Sequence, residues 1–313
     1  MLLGHALSSA IQRLTSAQVP SPRMNAELLL MFILGRDRAY LYGHPEHELT
    51  AEEQAHYKDA LAQRARGIPA QYITGHQEFW GMDFLVSPAV LIPRPETEHV
   101  IETVLGLVRG TFPSASSGQV LWDGKATGET PVSPQPKFGG WGTGVSPVRI
   151  ADVGTGSGCI ALALAKELPQ AEIHAIDISP AALEIARANA ARLQLESQVQ
   201  FHEGNLLAGI EKNSFDFVVS NPPYVGESEE DTVQLEVRKF EPRNAVFAGP
   251  TGLEVIERLI PQAREVLKPS GWLVMEISGT ISSSVRELLA GWKDAKITKD
   301  LQAIERVAAA QKA

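Results

Sequence analysis

Between Val148 and Ser278, short apolar runs rich in β-branched residues alternate with helical stripes, and this alternation restricts the possible folds severely. VRIADVG reads as a strand and SGCIALALAKEL as a helix. EIHAID is a second strand, and SPAALEIARANAARL a helix with Ser179 as cap and Pro180 at its first position. VQFHEG and FDFVVSN follow as strands, TGLEVIERLIPQAREVL as a helix with Pro261 inside it, and WLVMEIS as a fifth strand. Such alternation predicts an α/β fold with a parallel, doubly wound sheet, since right-handed crossover helices return each strand beside an earlier one. Ligands in such sheets bind beyond the carboxyl ends of the strands.

Two of those ends carry unusual residues. The first strand runs into DVGTGSGCIA, Asp152 to Ala161, where Gly154, Gly156 and Gly158 allow a tight turn and a close approach of backbone to ligand. Thr155 and Ser157 lie between them, and Cys159 is expected to be a buried small side chain at a helix start. Asp177 ends the second strand, where a carboxylate can accept hydrogen bonds from both ribose hydroxyls of a nucleoside. A dinucleotide fingerprint, G-x-G-x-x-G/A, would want glycine or alanine where Cys159 stands. The G-x-G-x-G spacing is similar instead to that of S-adenosylmethionine-dependent methyltransferases.

The fourth strand stops at Asn221-Pro222-Pro223-Tyr224. Neither proline can donate to a ladder, so the strand must end there. Methyl transfer from a sulfonium needs an aligned nucleophile and little else. If that nucleophile is a planar NH2 group, its hydrogens must be held by acceptors. The Asn221 side-chain oxygen and the Pro222 carbonyl are two acceptors that a rigid turn can fix side by side. Their bonds should strengthen as the nitrogen becomes tetrahedral. Tyr224 offers a flat face for a planar amide or base.

The rest of the chain divides by composition. Residues 1–75 have a helical pattern: Leu28, Leu29, Phe32 and Ile33 form one stripe, and Thr50 with Glu53 makes a capping box. We expect a small helical substrate-recognition domain here. Residues 76–110 read as a β-hairpin and a connecting helix opened by Pro95, with strand-like residues from Gln71 onward around Gly75 and Gly81. Residues 111–147 are rich in glycine, proline and serine without any period, and read as a flexible low-complexity insertion. Residues 148–313 form the expected catalytic domain.

Charge and cysteine content narrow the function classes. With 28 basic and 37 acidic side chains the net charge is −9, and no basic run makes a phosphate-binding stripe, so direct nucleic-acid binding is not expected. One cysteine, Cys159, fits a reducing, cytoplasmic setting. No signal peptide, membrane span or metal site is expected, since no charged segment precedes a long apolar run and the eight histidines are scattered.

Three further stretches, PAQYITGHQEFWGMDF, VLIPRPETE and KFEPRNAVFAG, together with NPPY, resemble the release-factor glutamine methyltransferases, the PrmC/HemK family. The resemblance covers nearly the whole chain except the insertion. It implies a Rossmann-like fold with a small amino-terminal all-α domain; a monomer is expected. The implied reaction moves a methyl group from S-adenosyl-L-methionine to the glutamine side chain in the Gly-Gly-Gln loop of peptide-chain release factors. By the same resemblance, Gly154, Thr155, Gly156, Ser157, Gly158, Asp177, Asn205, Leu206 and Asn221 would contact the cofactor, while Asn221, Pro222, Pro223 and Tyr224 would hold the glutamine amide. Arg94, Pro95, Glu96 and Thr97 would lie near the cofactor's methionine end. Many family members have an acidic and then an aromatic residue where this chain has Asn205 and Leu206, and Ser278 replaces a usual glycine. Two alternatives share NPPY: glutamine methyltransferases of a large-subunit ribosomal protein, and amino methyltransferases of nucleic-acid bases.

Overall fold

A computed structural model describes residues 1–111 and 147–313 of the chain. All but the two end residues of the expected 111–147 insertion therefore lie outside the described residues.

The amino-terminal part is helical: α1 (Leu3–Ser16), α2 (Pro22–Leu34), α3 (Arg38–Gly43), α4 (Ala51–Ala65) and α5 (Ala70–Thr74). Its core is separate, built on Leu3, Leu14, Leu29, Leu30 and Tyr57. The expected capping box of α4 is present, with Thr50 Oγ1 accepting from Glu53 N and Glu53 accepting from Thr50 N. The stripe on α2 differs from expectation: Ala26, Leu29 and Leu30 are buried, whereas Phe32 is half exposed. The segment from Gln71 to Thr74, expected to be strand-like, is helical in α5, and Gly75 ends it in the left-handed conformation at φ 77°.

The hairpin β1 (His76–Phe79) and β2 (Met82–Leu85) follows, joined by Trp80 and Gly81. Both turn residues have positive φ, as a two-residue hairpin turn of the mirror-image type requires. Helix α6 (Glu98–Arg109) then leads to the main sheet. That sheet contains β3 (Arg149–Val153), β4 (Glu172–Asp177), β5 (Val199–Glu203), β6 (Phe215–Ser220), β9 (Leu267–Glu276), β10 (Lys293–Lys299) and β11 (Glu305–Gln311). A small separate pair, β7 (Val225–Gly226) and β8 (Phe247–Gly249), lies between β6 and β9 in sequence.

The order across the main sheet is β10-β11-β9-β6-β3-β4-β5. The five expected strands are parallel to one another, but β11 runs antiparallel to both β9 and β10, so the sheet is mixed and larger than the sequence pattern implied. Helices α7 (Cys159–Glu167) and α8 (Pro180–Leu193) pack with α6 and the hairpin on one face. Helices α11 (Glu254–Val266) and α12 (Ser282–Leu288) cover the other. Ser179 caps α8 by accepting from Ala182 N. Short helices α9 (Leu235–Phe240) and α10 (Arg243–Val246) frame the loops after β6. No described helix is long and apolar enough to cross a membrane.

Candidate active site

A cavity of about 510 Å³ opens over the carboxyl ends of β3, β4, β5 and β6. Its wall includes Gly154 to Ser157, Asp177, Asn205, Leu206, Asn221 and Pro223, together with Arg94 and Thr97 from the segment before α6. The order of strands explains this meeting, because β3 lies between β4 and β6 and brings the glycine loop beside both Asp177 and Asn221.

Gly154 and Gly156 have φ of +72° and +55°, and an added Cβ at either would meet nothing within 4 Å. They are glycines for the sake of backbone conformation, and the space above them stays open. Gly158, also left-handed, does not line the cavity. A Cβ there would stand 3.2 Å from side-chain atoms of both Ala186 and Leu162, so this glycine lets α7 pack closely on α8. The same junction is tied by the fully buried Asn189, whose side chain donates to Leu85 O at 3.0 Å and Ser157 O at 2.9 Å and accepts from Leu85 N at 2.7 Å.

Asp177 is held by two backbone donors: Gly156 N to Oδ2 at 2.8 Å and Ser179 N to Oδ1 at 2.9 Å. Each oxygen keeps a further lone pair. Asn205 Oδ1 accepts from Arg258 at 2.7 Å, so it is partly engaged before any ligand arrives. Leu206 holds φ +56°, an uncommon conformation for a leucine, and packs its side chain against the sheet core. Cys159 begins α7 and, unlike the expected buried side chain, is half-buried and lines the cavity; the desolvation around its sulfur still pushes the thiol up to about 12.

Asn221 Nδ2 donates to Thr97 Oγ1 at 3.0 Å. Thr97 Oγ1 donates in turn to Glu276 Oε2 at 2.6 Å, and the Tyr224 hydroxyl donates to Glu276 Oε1 at 2.9 Å. Burial raises the pKa of Tyr224 above its ordinary value, with the Glu276 carboxylate adding to the effect, so the phenol stays a donor. Pro222 and Tyr224, both expected at the substrate, do not line this cavity, whose wall takes only Asn221 and Pro223 from the turn; Tyr224 is half-buried next to them. Across the site, Glu241 accepts from Ile92 N and pairs with Arg94, fixing the segment that carries Thr97.

Two carboxylates buried within strands of the main sheet, Asp152 and Glu276, were not singled out by the sequence pattern. Asp152 is fully buried, accepts from Thr155 Oγ1 at 2.6 Å and Ala161 N at 3.1 Å through Oδ2, and leaves Oδ1 without a partner. Burial raises its pKa to about 7, against the lowering effect of those two bonds. Glu276 ends β9 with its carboxylate 1% exposed. A charged residue inside an otherwise apolar strand was the available signal for both.

Residues 5–75 match the family model described as PrmC N-terminal domain, and residues 146–239 match the one described as Methyltransferase small domain. A protein of Moorella thermoacetica named release factor glutamine methyltransferase is 38% identical over 92% of this chain and 89% of its own. A protein of the same name from Koribacter versatilis is 51% identical over 100% of this chain and 99% of its own. Among solved structures, the hMettl16 catalytic domain in complex with the MAT2A 3′UTR hairpin 1 matches with a TM-score of 0.53 at 15% identity, over 91% of each chain. That likeness shows the fold alone; together with the Methyltransferase small domain match, it makes the mixed seven-stranded sheet a Rossmann-like methyltransferase fold. Similar along their whole lengths to relatives of one name, these residues place the chain in the release factor glutamine methyltransferase family.

Proposed function

We propose that this protein transfers the methyl group of S-adenosyl-L-methionine to the side-chain amide nitrogen of the glutamine in the Gly-Gly-Gln motif of peptide-chain release factors. The observation that carries the reading is the placement of a glycine loop and an Asn-Pro-Pro-Tyr turn at the ends of adjacent parallel strands, in a chain 51% identical to a protein named release factor glutamine methyltransferase.

The residues present fit the cofactor. Gly154 and Gly156 leave open space at the strand ends, Asp177 has lone pairs for ribose hydroxyls, and Leu206 gives an apolar contact beside Asn205 for the adenine. Asp152 Oδ1, which has no partner among the described residues, is a buried acceptor next to the glycine loop that a cationic amino group would satisfy through a bridging water. Arg94 and Thr97 line the same cavity and would face the methionine end. When bound, the cofactor supplies an electrophilic methyl carbon on a sulfonium.

The chain's own residues then hold the nucleophile. Asn221 Oδ1, whose amide nitrogen is committed to Thr97, accepts one hydrogen of the substrate NH2, and the Pro222 carbonyl accepts the other. As the nitrogen pyramidalises, its hydrogens become more acidic and these bonds strengthen, which lowers the barrier; the new N–C bond would replace the sulfonium S–C bond, leaving a neutral thioether, and the nitrogen would give up one of its two protons to solvent. Pro222 and Pro223 hold the turn rigid, and the Tyr224 ring is fixed through its hydroxyl.

Incubation with methyl-labelled S-adenosyl-L-methionine and a purified release factor should label the factor, while a factor with that glutamine replaced by alanine should stay unlabelled. Equal labelling of the two factors, or transfer to ribosomal protein or RNA in their place, would overturn the proposal.

A further inference from the structure

The cluster behind Asn221 has a direction. A threonine hydroxyl carries one proton and two lone pairs. Thr97 gives its proton to Glu276 Oε2, and only lone pairs are left to face Asn221. Asn221 must therefore turn its NH2 toward Thr97, and the planar amide puts its oxygen on the other side. Among the described residues no protein donor reaches that oxygen, and Asn221 lines the cavity.

We propose that Glu276 is a positioning residue for methyl transfer: ionised, it fixes the orientation of the Asn221 amide through the Thr97 hydroxyl, and so makes the site an acceptor of NH2 hydrogens. The inference rests on the reading that Asn221 Oδ1 accepts from the substrate amide. The other Glu276 oxygen holds the Tyr224 hydroxyl, so one carboxylate sets both the acceptor and the aromatic face. Were Glu276 protonated at Oε2, it could donate to Thr97, and the Thr97 hydroxyl would be free to donate a hydrogen bond to Asn221 Oδ1 in a turned-over amide. The site would then offer a donor where the substrate also has donors, a repulsive arrangement.

The groups around Glu276 oppose one another. Burial raises its pKa and the charge of Glu96 adds to this, while hydrogen bonds from Thr97 and Tyr224 and the charge of Arg306 lower it; the carboxylate in turn raises the Cys159 thiol. Turnover in the wild type should consequently fall on the acid side as Glu276 takes up a proton, in a limb above the ordinary glutamate range.

Glu276→Gln keeps the shape and can present its Nε2 to Thr97, copying the protonated state. With intact release factor as acceptor, it should bind S-adenosyl-L-methionine within about threefold of wild type, lose about tenfold or more in kcat, and show no acid limb in its residual kcat. Thr97→Val removes the relay while leaving the Glu276 and Tyr224 pair, and should reproduce the kcat loss. Thr97→Ser, which restores a hydroxyl, should recover most of it. Wild-type kcat in folded Glu276→Gln or Thr97→Val, or a serine variant no better than valine, would overturn the inference. Asn221→Ala separates the two levels. If it loses turnover while Glu276→Gln and Thr97→Val keep theirs, only this inference falls. If Asn221→Ala turns over normally, the amide-binding reading itself fails.

Discussion

Asp177 connects the loop to the proposed ligand through one side chain. Its two oxygens already accept from Gly156 N and Ser179 N, so the carboxylate is fixed at the end of β4 before a nucleoside arrives. Charge-assisted hydrogen bonds contribute roughly 1.5 to 3 kcal/mol each. Asp177→Ala should therefore lower S-adenosyl-L-methionine affinity by about tenfold or more in calorimetry while the protein still folds, and an unchanged affinity would remove Asp177 from the ribose role. This residue was legible from spacing alone, because the first two strands and the loop between them are contiguous in sequence. Glu276 was not, since its partners Thr97 and Tyr224 are 179 and 52 residues away. Its burial could be suspected from the apolar run WLVMEIS, but nothing in that run names what it binds. Asp152 is similar: its place beside the glycine loop was visible, its orphaned oxygen was not.

At the level of elements, the turn after β6 is held from behind by the loop before α11. Gly252 adopts φ +86°, and a Cβ there would stand 2.6 Å from Tyr224 O and 3.0 Å from Gly226 N. No side chain fits such a contact without moving the backbone of Tyr224. Gly252→Ala should lower stability by more than about 1 kcal/mol in thermal or denaturant unfolding, since both the conformation and the space oppose it. It should also reduce kcat more than cofactor affinity; wild-type stability and turnover would show that the loop does not set the turn. The five parallel strands were readable because they are short and largely apolar runs, most of them set between helical stripes. The pair β10 and β11 was missed for a physical reason. KDAKITK is mostly polar because β10 is an edge strand, and ERVAAAQ is alanine-rich, a composition with high intrinsic helix propensity. Insertion between β9 and β10 decides otherwise, with Val307 to Ala310 buried at 0 to 1% exposure. On α2, the periodic pattern identified the helix but put Phe32 in the core, where Leu30 lies instead.

Across the whole molecule, the helical amino-terminal part meets the loops that frame the site. Arg64, 3% exposed at the end of α4, donates to Asn25 Oδ1 at 2.6 Å, to Ile68 O at 3.1 Å and to Glu236 Oε2 at 2.6 Å. Glu236 belongs to α9, which follows the Asn221 to Tyr224 turn in sequence, so an ion pair with its arginine buried and its glutamate partly exposed links the two parts. Breaking such a pair leaves a charge buried without its partner, which makes the joint costly to open. The arrangement suits a reaction in which a glutamine side chain enters the site while a second surface identifies the protein that carries it, because one amide offers too few contacts for discrimination. The most direct test is tandem mass spectrometry of an intact release factor after reaction with this protein and S-adenosyl-L-methionine. The account predicts a single methyl group on the side-chain nitrogen of the Gly-Gly-Gln glutamine. A methyl group on any other residue of the factor, or an unmodified factor under conditions where the protein binds the cofactor, would contradict it.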